Sequence, residues 1–157
     1  MNDRRIGVYI VEGIPLVALG LETLIGNSPE TVLVGSSSPA GFDPSGVRER
    51  PDVLMVDAVE VDPAGITAAV RERWEGSTAV LALTPAELPG FDLRPWLRSG
   101  ASGGVCKASP LSHILQAVRA VARGRPTTTR ASSGTGGIAA GGRRWGASRS
   151  GRRRFSP

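Results

Sequence analysis

Five short apolar runs alternate with segments of helical pattern between Ile6 and Gly124. The runs are Ile6–Val11 and residues 31–35, 53–56, 79–83 and 104–106. They are apolar at successive positions, not at every second one, so strands built from them must be covered on both faces. Between them, residues 15–25 place Val17, Leu21, Leu24 and Ile25 at helical spacing, with Pro15 in the first turn. Residues 44–50 read as a short helix. Asp62-Pro63 opens another that runs to about Glu75, with Ile66, Val70 and Trp74 on one face. The last helix has Ser109 as its cap, Pro110 at its first position and Gly124 at its end. Its stripe is Leu111, Ile114, Leu115, Val118, Val121 and Ala122. Pro85, Pro89 and Pro95 interrupt residues 85–99, which show no clear pattern. Strict alternation of this kind predicts an α/β fold: a doubly wound, five-stranded parallel sheet with about five helices on its two sides. Sheets of that type bind ligands at the carboxyl ends of their strands, where the strand order reverses.

Charge divides the chain in two. Residues 1–123 hold 11 Lys+Arg and 14 acids, a net charge of −3, whereas residues 124–157 hold eight Arg and no acid, a net charge of +8. Residues 125–157 are Gly, Ser, Thr, Ala and Arg with Ile138, Trp145 and Phe155 as the large apolar residues. Three scattered anchors do not offset an ordering cost of about 1–2 kcal/mol per residue. The expected organisation is a folded domain over residues 1–124 and a disordered basic tail over 125–157. The single Cys106 and single His113 exclude a disulfide framework and any Cys- or His-rich metal cluster. No apolar run reaches the roughly 18 residues of a membrane span, and no signal-peptide pattern opens the chain. These features predict a cytoplasmic protein. The chain uses 18 Arg but one Lys, so Lys107 stands out.

The residues that follow the strands form a coherent set. Glu12 follows the first, Asp57 the third, Thr84 the fourth and Lys107 the fifth. In a parallel sheet all four reach one rim. A carboxylate can attack phosphorus, a second acid can help to hold Mg²⁺, and a hydroxyl and an ammonium can each contact a phosphoryl oxygen. Taken singly, each residue reads equally well as a polar strand end.

These segments resemble the receiver domains of response regulators, most closely the LuxR-type (NarL/FixJ) branch. Val8-Tyr9-Ile10-Val11-Glu12-Gly13-Ile14-Pro15-Leu16-Val17 looks like the family's opening strand and loop. Pro51-Asp52-Val53-Leu54-Met55-Val56-Asp57 looks like its phosphoacceptor strand. Val80-Leu81-Ala82-Leu83-Thr84 looks like its switch-hydroxyl strand, and Gly100–Lys107 like its Gly-Ala-x-Gly-x-x-x-Lys run. The resemblance covers residues 6–124. It implies the flavodoxin-like receiver fold, with Asp57 as phosphoacceptor, Thr84 as switch hydroxyl, Lys107 as the site lysine and Gly65 after the acceptor loop. It also implies Mg²⁺ held by Glu12 and Asp57, a sensor histidine kinase as partner, weak homodimers and a role in transcription regulation without enzymatic turnover.

The chain departs from that pattern. Gly13 replaces the family's second acid, which weakens the expected Mg²⁺ site. Residues 58–64 lack the usual Met-Pro pair. Gly104 stands in place of an aromatic switch residue, and the prolines disturb the segment of the fourth helix. The expectation is a degenerate receiver that accepts a phosphoryl group on Asp57 weakly, or acts through protein contacts alone. No four-helix DNA-binding domain can be built from residues 125–157. One explanation of such a tail is a frameshift, since GC-rich DNA read out of frame encodes Arg, Gly, Ala, Ser and Pro; the other frames of the coding DNA test this hypothesis about the gene. Two other classes compete: a nucleic-acid-associated protein whose tail contacts phosphates, and a metal-dependent hydrolase using Asp57. The latter lacks a third acid and a usable His base. Cys106 reads as an inert buried thiol, His113 as a solvent-facing helix residue, and Trp74 and Trp96 as core or surface-cluster residues.

Overall fold

The computed structural model describes residues 4–124. The expectations for the tail, its disorder and its nucleic-acid contact, lie outside the described residues. The elements alternate in chain order: β1 (Ile6–Val11), α1 (Pro15–Asn27), β2 (Thr31–Ser37), a 3₁₀ turn (Pro44–Gly46), β3 (Val53–Asp57), α2 (Pro63–Trp74), β4 (Ala79–Thr84), α3 (Arg94–Ser99), β5 (Gly103–Cys106) and α4 (Leu111–Ala122). All strand pairs are parallel, in the order β2-β1-β3-β4-β5. The predicted five-stranded, doubly wound sheet is therefore present.

Each face of the sheet carries its own core. Val8, Ile10, Val53, Met55, Leu81, Leu83 and Val105 point to the side covered by α1 and α4, where they meet Leu21, Ile25, Ile114 and Val118. Leu54, Val56, Val80 and Ala82 point to the other side, against Ile66, Val70 and Trp74 of α2 and Trp96 of α3. β3 is buried at all five positions, which explains its continuous apolar run. Burying each of its large side chains contributes about 1.5–3 kcal/mol.

Local chemistry sets the helix ends. The Asp62 carboxylate accepts from the Gly65 backbone N–H at 2.8 Å, and Pro63 follows it at the start of α2. The expected helix over 44–50 is a single 3₁₀ turn. Asp43 caps it, accepting from the N–H and hydroxyl of Ser45 at 2.9 and 2.7 Å. Those hydrogen bonds hold the Asp43 carboxyl below its ordinary range. The turn stops because Val47 is extended and buried, and Arg48-Glu49-Arg50 has no apolar face to continue with. At α4 the expected Ser109 cap is absent. Pro110 itself occupies the cap position with no side-chain hydrogen bond, and Leu111 is exposed instead of joining the stripe. Residues 85–93 form no helix, so four α-helices are present among the described residues. Pro85 and Pro89 remove backbone donors there, and α3 begins only at Arg94-Pro95. No helix among the described residues is long and apolar enough to cross a membrane.

Candidate functional site

The strand order reverses between β1 and β3, whose carboxyl ends lie side by side: Val11 pairs with Val56. Glu12 and Asp57 therefore emerge next to each other. Both are buried, at 4% and 1% exposure. Lys107 emerges from β5, where its backbone N–H donates to the Thr84 carbonyl at 2.9 Å. Its Nζ lies 2.7 Å from Glu12 Oε2 and 3.2 Å from Asp57 Oδ1.

The remaining bonds define what each group is free to do. Glu12 Oε1 accepts from the Ile14 backbone N–H at 2.9 Å, while the buried Oε2 faces Lys107 Nζ as an ion pair and accepts no hydrogen bond among the described residues. Asp57 Oδ1 also accepts from the Val59 N–H at 3.0 Å. Asp57 Oδ2 accepts no hydrogen bond among the described residues. Thr84 is buried at the end of β4, beside Cys106 across the sheet. Its hydroxyl makes no hydrogen bond to the other three side chains. Glu12, Asp57 and Lys107 are thus in direct contact, and Thr84 adjoins them on the same rim. Two buried carboxylates share one ammonium, which leaves an uncompensated negative charge in a region of weak screening.

Three further residues shape this rim, and none was singled out from the sequence for that role. The first is Glu60, an exposed residue of the loop after β3. A Cβ placed on Gly13 would lie 2.5 Å from Glu60 Oε2, so the Glu60 carboxylate fills the space beside the glycine. The signal was present in outline: an acid missing at position 13 invites a search for another carboxylate on a neighbouring loop. The second is Trp96. It is buried at 2% exposure, and its indole N–H donates to the Ala58 carbonyl at 3.2 Å, directly after Asp57. The third is Leu93, whose methyl carbons lie 2.9 Å from where a Gly104 Cβ would stand. Leu93 thereby fills the space that the glycine leaves open. Trp74 is also core, Cys106 is buried and His113 is solvent-facing.

Trp96→Phe tests the link between α3 and the acceptor loop. The substitution keeps an aromatic ring but leaves the buried Ala58 carbonyl without its donor. We expect a loss of about 1–3 kcal/mol, measured by urea denaturation.

The resemblance to receiver domains implies Mg²⁺, a hard cation that takes oxygen ligands and usually keeps several waters beside one or two carboxylates. Among the described residues no three His, Cys, Asp or Glu side chains stand together to enclose a metal ion. A protein cage is thus not present. Asp57 Oδ2 and the Glu60 carboxylate offer hard oxygens free of hydrogen bonds, a donor set of the kind that a largely hydrated Mg²⁺ accepts.

The fold is similar to that of solved response regulators. The signal receiver domain of the putative response regulator NarL from Mycobacterium tuberculosis is 27% identical, with a TM-score of 0.67 over 78% of this chain and 99% of that one. The fold is that of a response-regulator receiver domain. A LuxR-family two-component response regulator from Aurantimonas sp. SI85-9A1 has the same fold at 24% identity and a TM-score of 0.69, covering 87% of this chain and 99% of its own. The response regulator ChrA of a heme-sensing two-component system is 26% identical with a TM-score of 0.60, over 77% of this chain. The chain spans 58% of the length of ChrA, the receiver-like part. No family model matches the sequence, and no curated protein matches it either. Against the receiver pattern, the helix between β2 and β3 is cut to a 3₁₀ turn and that between β4 and β5 to six residues.

Proposed function

We propose that this chain is a two-component receiver of degenerate type, which accepts a phosphoryl group on Asp57 and signals through protein contacts in transcription regulation. The observation that carries this reading is the Asp57 carboxylate, buried at the strand-order reversal and held by Lys107 Nζ at 3.2 Å. An Asp57 oxygen attacks the phosphorus of a sensor kinase's phosphohistidine. The O–P bond forms, the P–N bond breaks, and the histidine keeps the electron pair and takes up a proton. Lys107 then pairs with a phosphoryl oxygen, and the Thr84 hydroxyl donates to another. Asp57 Oδ2 is the acceptor oxygen open to Mg²⁺, which when bound would offset charge on the phosphoryl group. Glu12 holds Lys107 in place from the far side. The loss of the acid at position 13 supports slow phosphorylation. Nothing in this set turns over an external substrate, and a cytoplasmic location goes with the reading.

Incubation of the purified chain with acetyl phosphate and Mg²⁺, followed by intact mass measurement, tests this. The expected product carries one acid-stable, base-labile phosphoryl group. A chain that stays unmodified over hours, with Asp57 intact, would leave only the phosphorylation-independent reading.

Output by self-association has its own support. Leu16, Leu19 and Leu111 are 79%, 60% and 62% exposed along a groove between α1 and α4. Exposed apolar clusters of this kind mark contact surfaces. Leu88 and Leu97 of the remodelled 85–99 segment add a smaller apolar surface. We expect Leu19→Asp to convert weak dimers to monomers in sedimentation velocity, with the melting temperature unchanged because the side chain is exposed. Dimers that persist in this variant would move the contact to the 85–99 segment.

A further inference from the structure

We propose that Glu60 supplies the carboxylate that position 13 lacks, so that Asp57 and Glu60 are the two protein ligands of a hydrated Mg²⁺ site. This deepens the phosphoacceptor reading above by naming which residues hold its cation.

Placement comes first. An Asp at position 13 would carry its oxygens roughly 2.4 Å from its own Cβ, two bonds away. Glu60 Oε2 lies 2.5 Å from that same Cβ position, with Oε1 at 3.4 Å. The Glu60 carboxylate thus stands within the reach that an acid at 13 would have. The two arrangements exclude each other, because a side chain at 13 and the present Glu60 conformation cannot share the space. A glycine at 13 is what lets the acid arrive from the other loop.

Availability comes second. Glu12 is the other acid at this rim, but its oxygens are taken by the Ile14 N–H and by Lys107. Among the described residues Glu60 has no hydrogen-bond donor and no cationic partner. Its carboxylate stands beside Gly13, the residue after Glu12. Glu12 and Asp57 are two buried carboxylates on one ammonium, an excess of negative charge that a divalent ion at this rim relieves.

Tethering comes third. Glu60 follows Asp57 by three residues, so both ligands belong to one short loop. Val59 N–H to Asp57 and Trp96 to the Ala58 carbonyl fix the start of that loop, and the Asp62 cap fixes its end. A loop pinned at both ends holds the donor near its binding position and lowers the ordering cost of binding.

The test uses Mn²⁺ alone on the full chain, read by the electron paramagnetic resonance of free Mn²⁺, with Mg²⁺ as competitor. Glu60→Gln should weaken Mn²⁺ binding by at least about tenfold, the smaller end of what losing even an outer-shell partner does. Its melting temperature should match the parent, since Glu60 is exposed. Gly13→Asp combined with Glu60→Ala should restore binding, because the acid then arrives from the first loop. Binding unchanged in Glu60→Gln would overturn the assignment, as would a folded double variant that fails to recover, or a parent chain that leaves millimolar Mn²⁺ free. Phosphoryl labelling is read separately. Metal binding that depends on Glu60 with no labelling of Asp57 sinks the phosphoacceptor reading and leaves this one standing. Labelling with metal binding insensitive to Glu60 does the reverse.

Discussion

Asp57→Asn should abolish phosphoryl incorporation from acetyl phosphate and from any sensor kinase, with the mass spectrum showing the unmodified chain alone. Asn keeps the shape, and its carbonyl can still accept from the Val59 N–H and from Lys107 as Asp57 Oδ1 does. It lacks the anionic oxygen that attacks phosphorus. The variant should therefore fold while losing all reactivity. Removing one of two buried carboxylates around a single ammonium also relieves like-charge repulsion, so the expected melting temperature is equal to or above the parent's. Labelling that persists in the Asn variant would place the acceptor elsewhere on the chain.

Lys107→Met should be strongly destabilising. Among the described residues the ammonium is the one cation touching Glu12, whose side chain is fully buried, and Asp57, whose side chain is 2% exposed. Methionine preserves the length of the stem but leaves two adjacent buried anions uncompensated. Removing one partner of a buried ion pair costs about 3–5 kcal/mol, measured here as a shift in the urea midpoint at neutral pH. Restoring the balance should recover part of that loss: Glu12→Gln added to Lys107→Met removes one of the two stranded charges. If the single variant unfolds at the parent's midpoint, the Lys107 contacts contribute nothing to holding the rim together. Phosphorylation should fall as well, because the ammonium that would meet a phosphoryl oxygen is gone.

The architecture was legible because burial leaves a periodic trace. β3 is apolar from Val53 to Val56 since α1 and α4 cover one face and α2 and α3 the other. Ile66, Val70 and Trp74 recur at helical spacing since one side of α2 is buried. The errors fell where that trace is thin. Arg48-Glu49-Arg50 and the proline-broken 85–93 segment have no apolar period to follow, and there the receiver pattern is trimmed to a 3₁₀ turn and a six-residue helix. At α4 the Ser-Pro pair suggested a side-chain cap, but Pro110 took the cap position with its own backbone geometry.

Sequence alone determined the sheet, its two covered faces, and the presence of Glu12, Asp57, Thr84 and Lys107 at one rim. The alternation of strands with helices and the polar strand ends are local properties, written in consecutive residues. The tertiary structure decided how those side chains divide their bonds: Glu12 bound to Lys107, Asp57 with one oxygen open, Glu60 in the space beside Gly13 and Leu93 in the space beside Gly104. Each of those meetings joins separate loops or strands across the rim. No periodicity records where one loop's side chain lands against another, because that depends on the path of the backbone between them.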